Sequence, residues 1–194
     1  MPSDETKSKE AGLSEILEGL CQAGVEFILV GGLASVIQGA PFTTMDVDIV
    51  PRQTSKNINK LLLFLDSADA YYRRMDEKII RPVKEQLTSR GHVLLLTRFG
   101  PLDILGTIEK GRSYKDLIEH TVKIPFRSHN LTVLELETLV EMKRSSEDAK
   151  EKLRLPILEE TLRQSKKRRQ RPSPKNKQKQ NPPKTTSGNQ KIYK

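Results

Sequence analysis

The 194-residue sequence has no tryptophan, one cysteine and only 5 % aromatic residues. A single thiol, Cys21, cannot close an internal disulfide, and its apolar helical surroundings make it a small core residue. No apolar run approaches the ~20 residues of a membrane span. The first ten residues, Met1 to Glu10, hold no apolar core for a signal peptide. These absences point to a soluble, cytoplasmic protein without a membrane partner. The three histidines, His92, His120 and His129, have no ligand spacing, which argues against a zinc site.

Acidic residues are missing from one end. Residues 165–194 contain eleven of the 34 Lys and Arg and no Asp or Glu, which leaves 23 basic against 25 acidic residues in the first 164. The net charge of +9 is therefore a property of the tail. That tail has only Ile192 and Tyr193 as bulky apolar groups, too few to offset the entropy of ordering, so it is expected to be disordered. It could contact nucleic acid through phosphate charge or serve only solubility. With residues 1–9 as a polar leader, the folded domain is expected over residues 10–164.

Apolar periodicity predicts a helix over about 9–23, capped by Ser14 or a residue before it and ended by Gly24. Val25–Val30 reads as a strand, 33–38 as a short helix stopped by Gly39 and Pro41, and 45–50 as a second strand. A helix follows over 55–65, capped by Thr54 or Ser55. Residues 67–88 resist assignment, and Tyr71-Tyr72-Arg73-Arg74 reads as helix packing with a basic flank or as the lining of an acceptor groove. Strands over 92–98 and 102–105 are joined by Phe99-Gly100-Pro101, which predicts an antiparallel pair. A short helix near Ser113, a hairpin of 121–125 with 131–134, and helices over 136–143 and 147–163 complete the pattern, with breaks near Ser145 and Pro156. The expected fold class is α/β or α+β, a small mixed sheet flanked by helices with a helical C-terminal section.

The chemistry concentrates between Phe27 and Val50. Gly31-Gly32 lets backbone approach a ligand, and helical N–H groups behind it suit a phosphate. Asp46 and Asp48 lie at i and i+2 of an extended segment, so both carboxylates face one way. Their apolar flanks make an unpartnered carboxylate costly, which favours an open rim or a bound cation. Asp103, between Leu102 and Ile104, is the natural third carboxylate.

Val30-Gly31-Gly32, the short helix, Asp46-Val47-Asp48 and Leu102-Asp103-Ile104 together resemble the nucleotidyltransferase superfamily that shares the palm of DNA polymerase beta. Leu33-Ala34-Ser35, the Thr44–Ile49 run and the Glu137–Lys143 segment resemble most its small prokaryotic AbiEii-toxin-like branch. The resemblance covers about residues 11–164. It implies a nucleotidyltransferase-like fold and magnesium-dependent transfer of a nucleoside monophosphate from an NTP to an acceptor hydroxyl on RNA, protein or a small molecule. A toxin–antitoxin setting with an antitoxin partner follows from the branch. By residue, it implies that Asp46, Asp48 and Asp103 hold two magnesium ions and do the catalysis. It also implies that Gly31, Gly32, Ser35 and Lys143 bind the nucleotide, with Lys150 and Glu151 where relatives have a Lys-Asp pair. Two positions depart from the pattern: Gly32 stands where many members have a phosphate-binding serine, and Asp148 where relatives often have arginine. A module of this fold that binds a partner without catalysis is the alternative reading.

Overall fold

The computed structural model describes residues 12–74, 78–145 and 149–170. The expected leader, Asp148 and residues 171–194 of the basic tail lie outside the described residues, as do the side chains of Lys150 and Glu151.

Among the described residues, seven strands form one mixed sheet: β1 (Phe27–Val30), β2 (Val47–Pro51), β3 (Tyr71–Tyr72), β4 (His92–Thr97), β5 (Gly100–Leu105), β6 (Thr121–Phe126) and β7 (His129–Leu134). Their spatial order is β3-β4-β5-β2-β1-β7-β6. β2 runs parallel to β5 and β1 parallel to β7, while the other neighbours are antiparallel. The helices are α1 (Leu13–Gln22), α2 (Gly31–Ile37), α3 (Ser55–Ser67), α4 (Lys84–Leu87), α5 (Tyr114–Leu117), α6 (Leu136–Ser145) and α7 (Ala149–Gln170). This is the expected α/β architecture, a mixed sheet flanked by helices with a helical C-terminal section. No described helix is long and apolar enough to cross a membrane.

Strand alternation sorts the two faces of the sheet. Val47, Ile49, Leu102 and Ile104 are at most 1 % exposed. They belong to one core with Ile16, Leu17 and Leu20 of α1 and Ile58, Leu61 and Leu65 of α3. Asp48 and Asp103, which alternate with those apolar residues, therefore face the opposite side. There α2 lies against β1 and β2 and meets α6, which in turn packs on α7.

The element boundaries follow local chemistry. α1 starts after Gly12, whose N–H donates to the Phe99 carbonyl at 2.6 Å. Ser14 is not its cap; the Ser14 hydroxyl donates to Glu15. Gly24, with φ +64°, ends the helix as expected. Thr54 caps α3 by accepting from the Asn57 N–H, and Ser113 and Asp116 form a capping box on α5. α7 corrects one expectation: it runs unbroken past Pro156 and on to Gln170. A mid-helix proline removes one N–H, and on this largely exposed helix water can satisfy the carbonyl left over.

The Tyr71–Arg74 segment is the other correction. It is not helical; Tyr71 and Tyr72 pair with Leu96 and Leu95 as the edge strand β3. Bulky aromatic residues favour a pleated, half-buried edge. The run was too short to show a strand period in the sequence.

Candidate active site

The site is built across three adjacent strands. In the register, Val30 of β1 lies opposite Asp48 of β2, and Asp48 lies opposite Asp103 of β5. Paired residues on adjacent strands share a face, so the two carboxylates meet on the face away from the α1–α3 core. Asp46 sits one residue before β2, two positions from Asp48, and the Thr44 hydroxyl donates to its Oδ1 at 2.7 Å. One carboxylate oxygen from each of Asp46, Asp48 and Asp103 lies within 4.8 Å of the others. The three acids singled out in the sequence are thus brought together.

The turn from β1 into α2 closes over this trio. Gly31 has φ +66°, and a Cβ built there would collide with the Asp48 carboxylate. Only glycine meets both conditions without strain. The Gly32 N–H donates to Asp48. A Cβ on Gly32 would come 2.7 Å from Thr44 Oγ1 and 3.1 Å from Thr44 Cβ. Thr44 therefore occupies the space that a serine at position 32 would need, which accounts locally for the Gly-Gly pair.

Ser35 stands apart from the others. It is 1 % exposed, its hydroxyl donates to the Gly31 carbonyl at 3.1 Å, and it does not line the cleft. Its observed contact braces the glycine turn from behind.

A cleft of about 330 Å³ opens over Asp46 and Asp48, while Asp103 does not line it. Gly31, Gly32, Asp46 and Asp48 form its floor, Leu139, Met142 and Lys143 of α6 one wall, and His92, Leu105, Ile108 and Glu109 another. Its volume is that of a small-molecule site. Two cations reach it. Lys143, expected from the sequence, acts electrostatically on Asp48. Arg154 of α7 was not singled out in the sequence; its guanidinium stacks over the Phe42 ring at 5.0 Å and lines the same cleft. The basic, polar composition of α7 gave no reason to prefer one of its cations over another.

Arg73 is the third cation at the site and the second that sequence reading left unassigned. Its Nη2 donates to both Asp103 oxygens, at 3.2 and 3.1 Å. The Tyr71–Arg74 motif had suggested helix packing with a basic flank or the lining of an acceptor groove; the partner of Arg73 is a site carboxylate 30 residues away.

Burial leads the electrostatics of the site, with repulsion between the carboxylates adding to it. Burial, and then the neighbouring Asp46 and Asp103, push the Asp48 carboxyl up to about 7 from an ordinary 3.8; the Gly32 N–H and Lys143 oppose the rise. Burial also raises Asp103, with Arg73 pulling the other way. Three carboxylates and no His or Cys donor make a hard, all-oxygen set that suits magnesium. The donor set thus fits the cation that the sequence resemblance implies, and Asp46, Asp48 and Asp103 are the residues that would hold it.

The fold is similar to that of solved structures. The lincosamide antibiotic adenylyltransferase LnuA, in its lincomycin-bound crystal structure, matches 82 % of this chain and 99 % of its own, with a TM-score of 0.51 and 13 % identity. A putative nucleotidyltransferase from Thermotoga maritima matches 82 % of this chain and 91 % of its own, with a TM-score of 0.43 and 17 % identity. No protein-family model and no curated protein sequence matches the chain. The likeness to LnuA defines the class of fold: nucleotidyltransferase-like, with an acidic trio on its sheet.

Proposed function

We propose that this protein is a magnesium-dependent nucleotidyltransferase that moves a nucleoside monophosphate from an NTP to an acceptor hydroxyl. The observation that carries this reading is the convergence of Asp46, Asp48 and Asp103, the first two of which line a cleft that also receives Lys143 and Arg154. Asp46, Asp48 and Asp103 hold the metal, as two ions in the full set. Bound magnesium supplies charge neutralisation and alignment of the phosphates. Lys143 and Arg154 attract the triphosphate into the cleft. Gly31 and Gly32 present bare backbone, so a phosphate can approach without meeting a side chain. Ser35 keeps that turn in shape through its bond to the Gly31 carbonyl.

In the transfer, the acceptor oxygen bonds to the α-phosphorus and the bond from that phosphorus to the α–β bridging oxygen breaks. Pyrophosphate leaves, and Asp103 takes the hydroxyl proton. Positioning and preorganised charge supply most of the rate. For the acceptor we propose RNA or protein, with a toxin–antitoxin role and an antitoxin partner. The support is the AbiEii-like run of Leu33-Ala34-Ser35, Thr44–Ile49 and Glu137–Lys143 in the sequence. The basic tail over residues 165–194 is then the place for nucleic-acid contact. LnuA, an adenylyltransferase bound to lincomycin, makes a small-molecule hydroxyl the competing acceptor.

Labelled NTPs with magnesium and either total RNA, protein extract or small hydroxyl compounds test the reading. A labelled product is expected from one acceptor class and is lost in Asp46→Ala/Asp48→Ala. Undiminished labelling by that double variant refutes the site. Thermal melting with each of the four NTPs and magnesium gives a second readout, since a ligand of the folded state must raise the melting temperature. No rise with any of them favours a non-catalytic binding module.

A further inference from the structure

Arg73 and Asp103 form an ion pair whose two halves are held very differently. Asp103 is fixed: it is 11 % exposed at the side chain and paired on both sides, with Leu94 of β4 and Asp48 of β2. Arg73 lies just beyond the last residue of the edge strand and is tied to the sheet by its N–H to the Leu94 carbonyl at 2.9 Å. That bond places it opposite Leu94, in the crosswise row that contains Asp103, so its side chain reaches across Leu94 to the carboxylate. The Arg73 side chain is 40 % exposed, and a half-exposed guanidinium gives up little on returning to water. Its single Nη2 spans both carboxylate oxygens and occupies the side of Asp103 that faces the sheet edge.

We propose that Arg73 is a built-in competitor for a divalent cation at Asp103. A first cation needs only Asp46 and Asp48. A second one uses Asp103, and its charge and that of the guanidinium exclude each other at the same carboxylate. Arg73 thereby sets how many ions the trio holds, and occupation of the second position swings the guanidinium out toward solvent at the sheet edge. This inference rests on the magnesium reading of the trio given above, and it concerns the second cation alone.

The test is a Mn²⁺ titration of the full chain, without nucleotide, followed by the electron paramagnetic resonance signal of free Mn²⁺. The wild type is expected to take up one ion tightly and a second weakly. Arg73→Gln, and Arg73→Met, which keeps an apolar stem over Leu94, are expected to tighten the second ion about tenfold or more, the scale on which an adjacent opposite charge alters a carboxylate's affinity. Asp103→Asn in either background is expected to abolish that gain. Second-ion affinity that is unchanged or weakened in both Arg73 variants overturns the inference while leaving the cation site standing. Absence of Mn²⁺ uptake by the wild type and the variants alike overturns the cation site and, with it, the inference.

Discussion

The carboxylate of Asp48 fills the space that any side chain on Gly31 would need. Gly31 also sits at φ +66°, where an L-residue is strained. Gly31→Ala therefore meets two costs, about 1 kcal/mol for the backbone and about 1–3 kcal/mol for the collision. A loss of about 2–4 kcal/mol in urea denaturation is expected. The second consequence is specific to the site: Asp48 must move, so the melting-temperature rise produced by magnesium and nucleotide should shrink or vanish. Gly24→Ala offers a control, because it shares the positive φ but lies at the far end of β1. It should cost stability and leave the ligand-induced rise intact.

Asp48 makes stability depend on pH in an unusual direction for a carboxyl group. Its folded pKa of about 7 lies above the ordinary 3.8, so the folded state holds the proton more tightly than the unfolded state. Below pH 3.8 this group costs nothing. The penalty grows as pH rises from about 4 to 7 and is complete above 7, with an upper bound of about 4 kcal/mol. Asp48→Asn should accordingly stabilise the protein at pH 8 and make little difference at pH 4, measured by denaturant unfolding without divalent cation. With magnesium present the sign reverses for binding: wild-type affinity should fall as pH drops below about 7, because the proton competes with the cation for the same oxygens.

Much of this site was legible in the sequence because its parts are local. Gly31-Gly32 and Asp46-Val47-Asp48 are short motifs whose apolar flanks set the strand period, and Asp103 was found by the same apolar-acidic-apolar pattern. Arg73 and Arg154 were not legible in that way. Arg73 reaches the site only because β3 pairs at the sheet edge, a non-local contact that two tyrosines cannot announce. Arg154 matters because the packing of α7 on α6 lays one of several cations against Phe42. Ser35 is a different case: it lies next to the glycine turn in sequence, and helical geometry aims its hydroxyl back at the Gly31 carbonyl.

Gln38 fixes the wall that carries Lys143. Its Nε2 donates to the Ala34 and Leu134 carbonyls, both at 2.9 Å, and its Oε1 accepts from the Leu136 N–H at 3.1 Å. One side chain thus ties the end of α2 to the junction of β7 and α6, two turns before Lys143. Gln38→Met keeps the volume but leaves the junction's N–H and carbonyl without these partners, at a cost of about 2–3 kcal/mol. Gln38→Glu keeps the acceptor for Leu136 but aims a second acceptor at two carbonyls, so it should be no better than methionine. Urea denaturation of both variants checks this. A nucleotide titration should show weaker binding in each, because α6 positions Lys143.

Gly32 and Thr44 should be energetically coupled. A methyl at position 32 meets Thr44 Oγ1 at 2.7 Å, and the hydroxyl it displaces is the one that donates to Asp46. Gly32→Ala should therefore cost about 1–3 kcal/mol from overpacking. It should also loosen Asp46, seen as weaker Mn²⁺ uptake. In a Thr44→Ala background the hydroxyl is gone, and the methyl meets the remaining Cβ at 3.1 Å and the Arg154 guanidinium at an ordinary 3.8 Å. The same glycine substitution should then cost less than half as much stability. Thr44→Ala alone frees Asp46 Oδ1, so its own effect on Mn²⁺ uptake should already be present and should not add to that of Gly32→Ala. A double-mutant cycle read by unfolding free energy and by Mn²⁺ affinity measures both couplings. Strict additivity in the two readouts would show that Thr44 does not mediate between the glycine turn and Asp46.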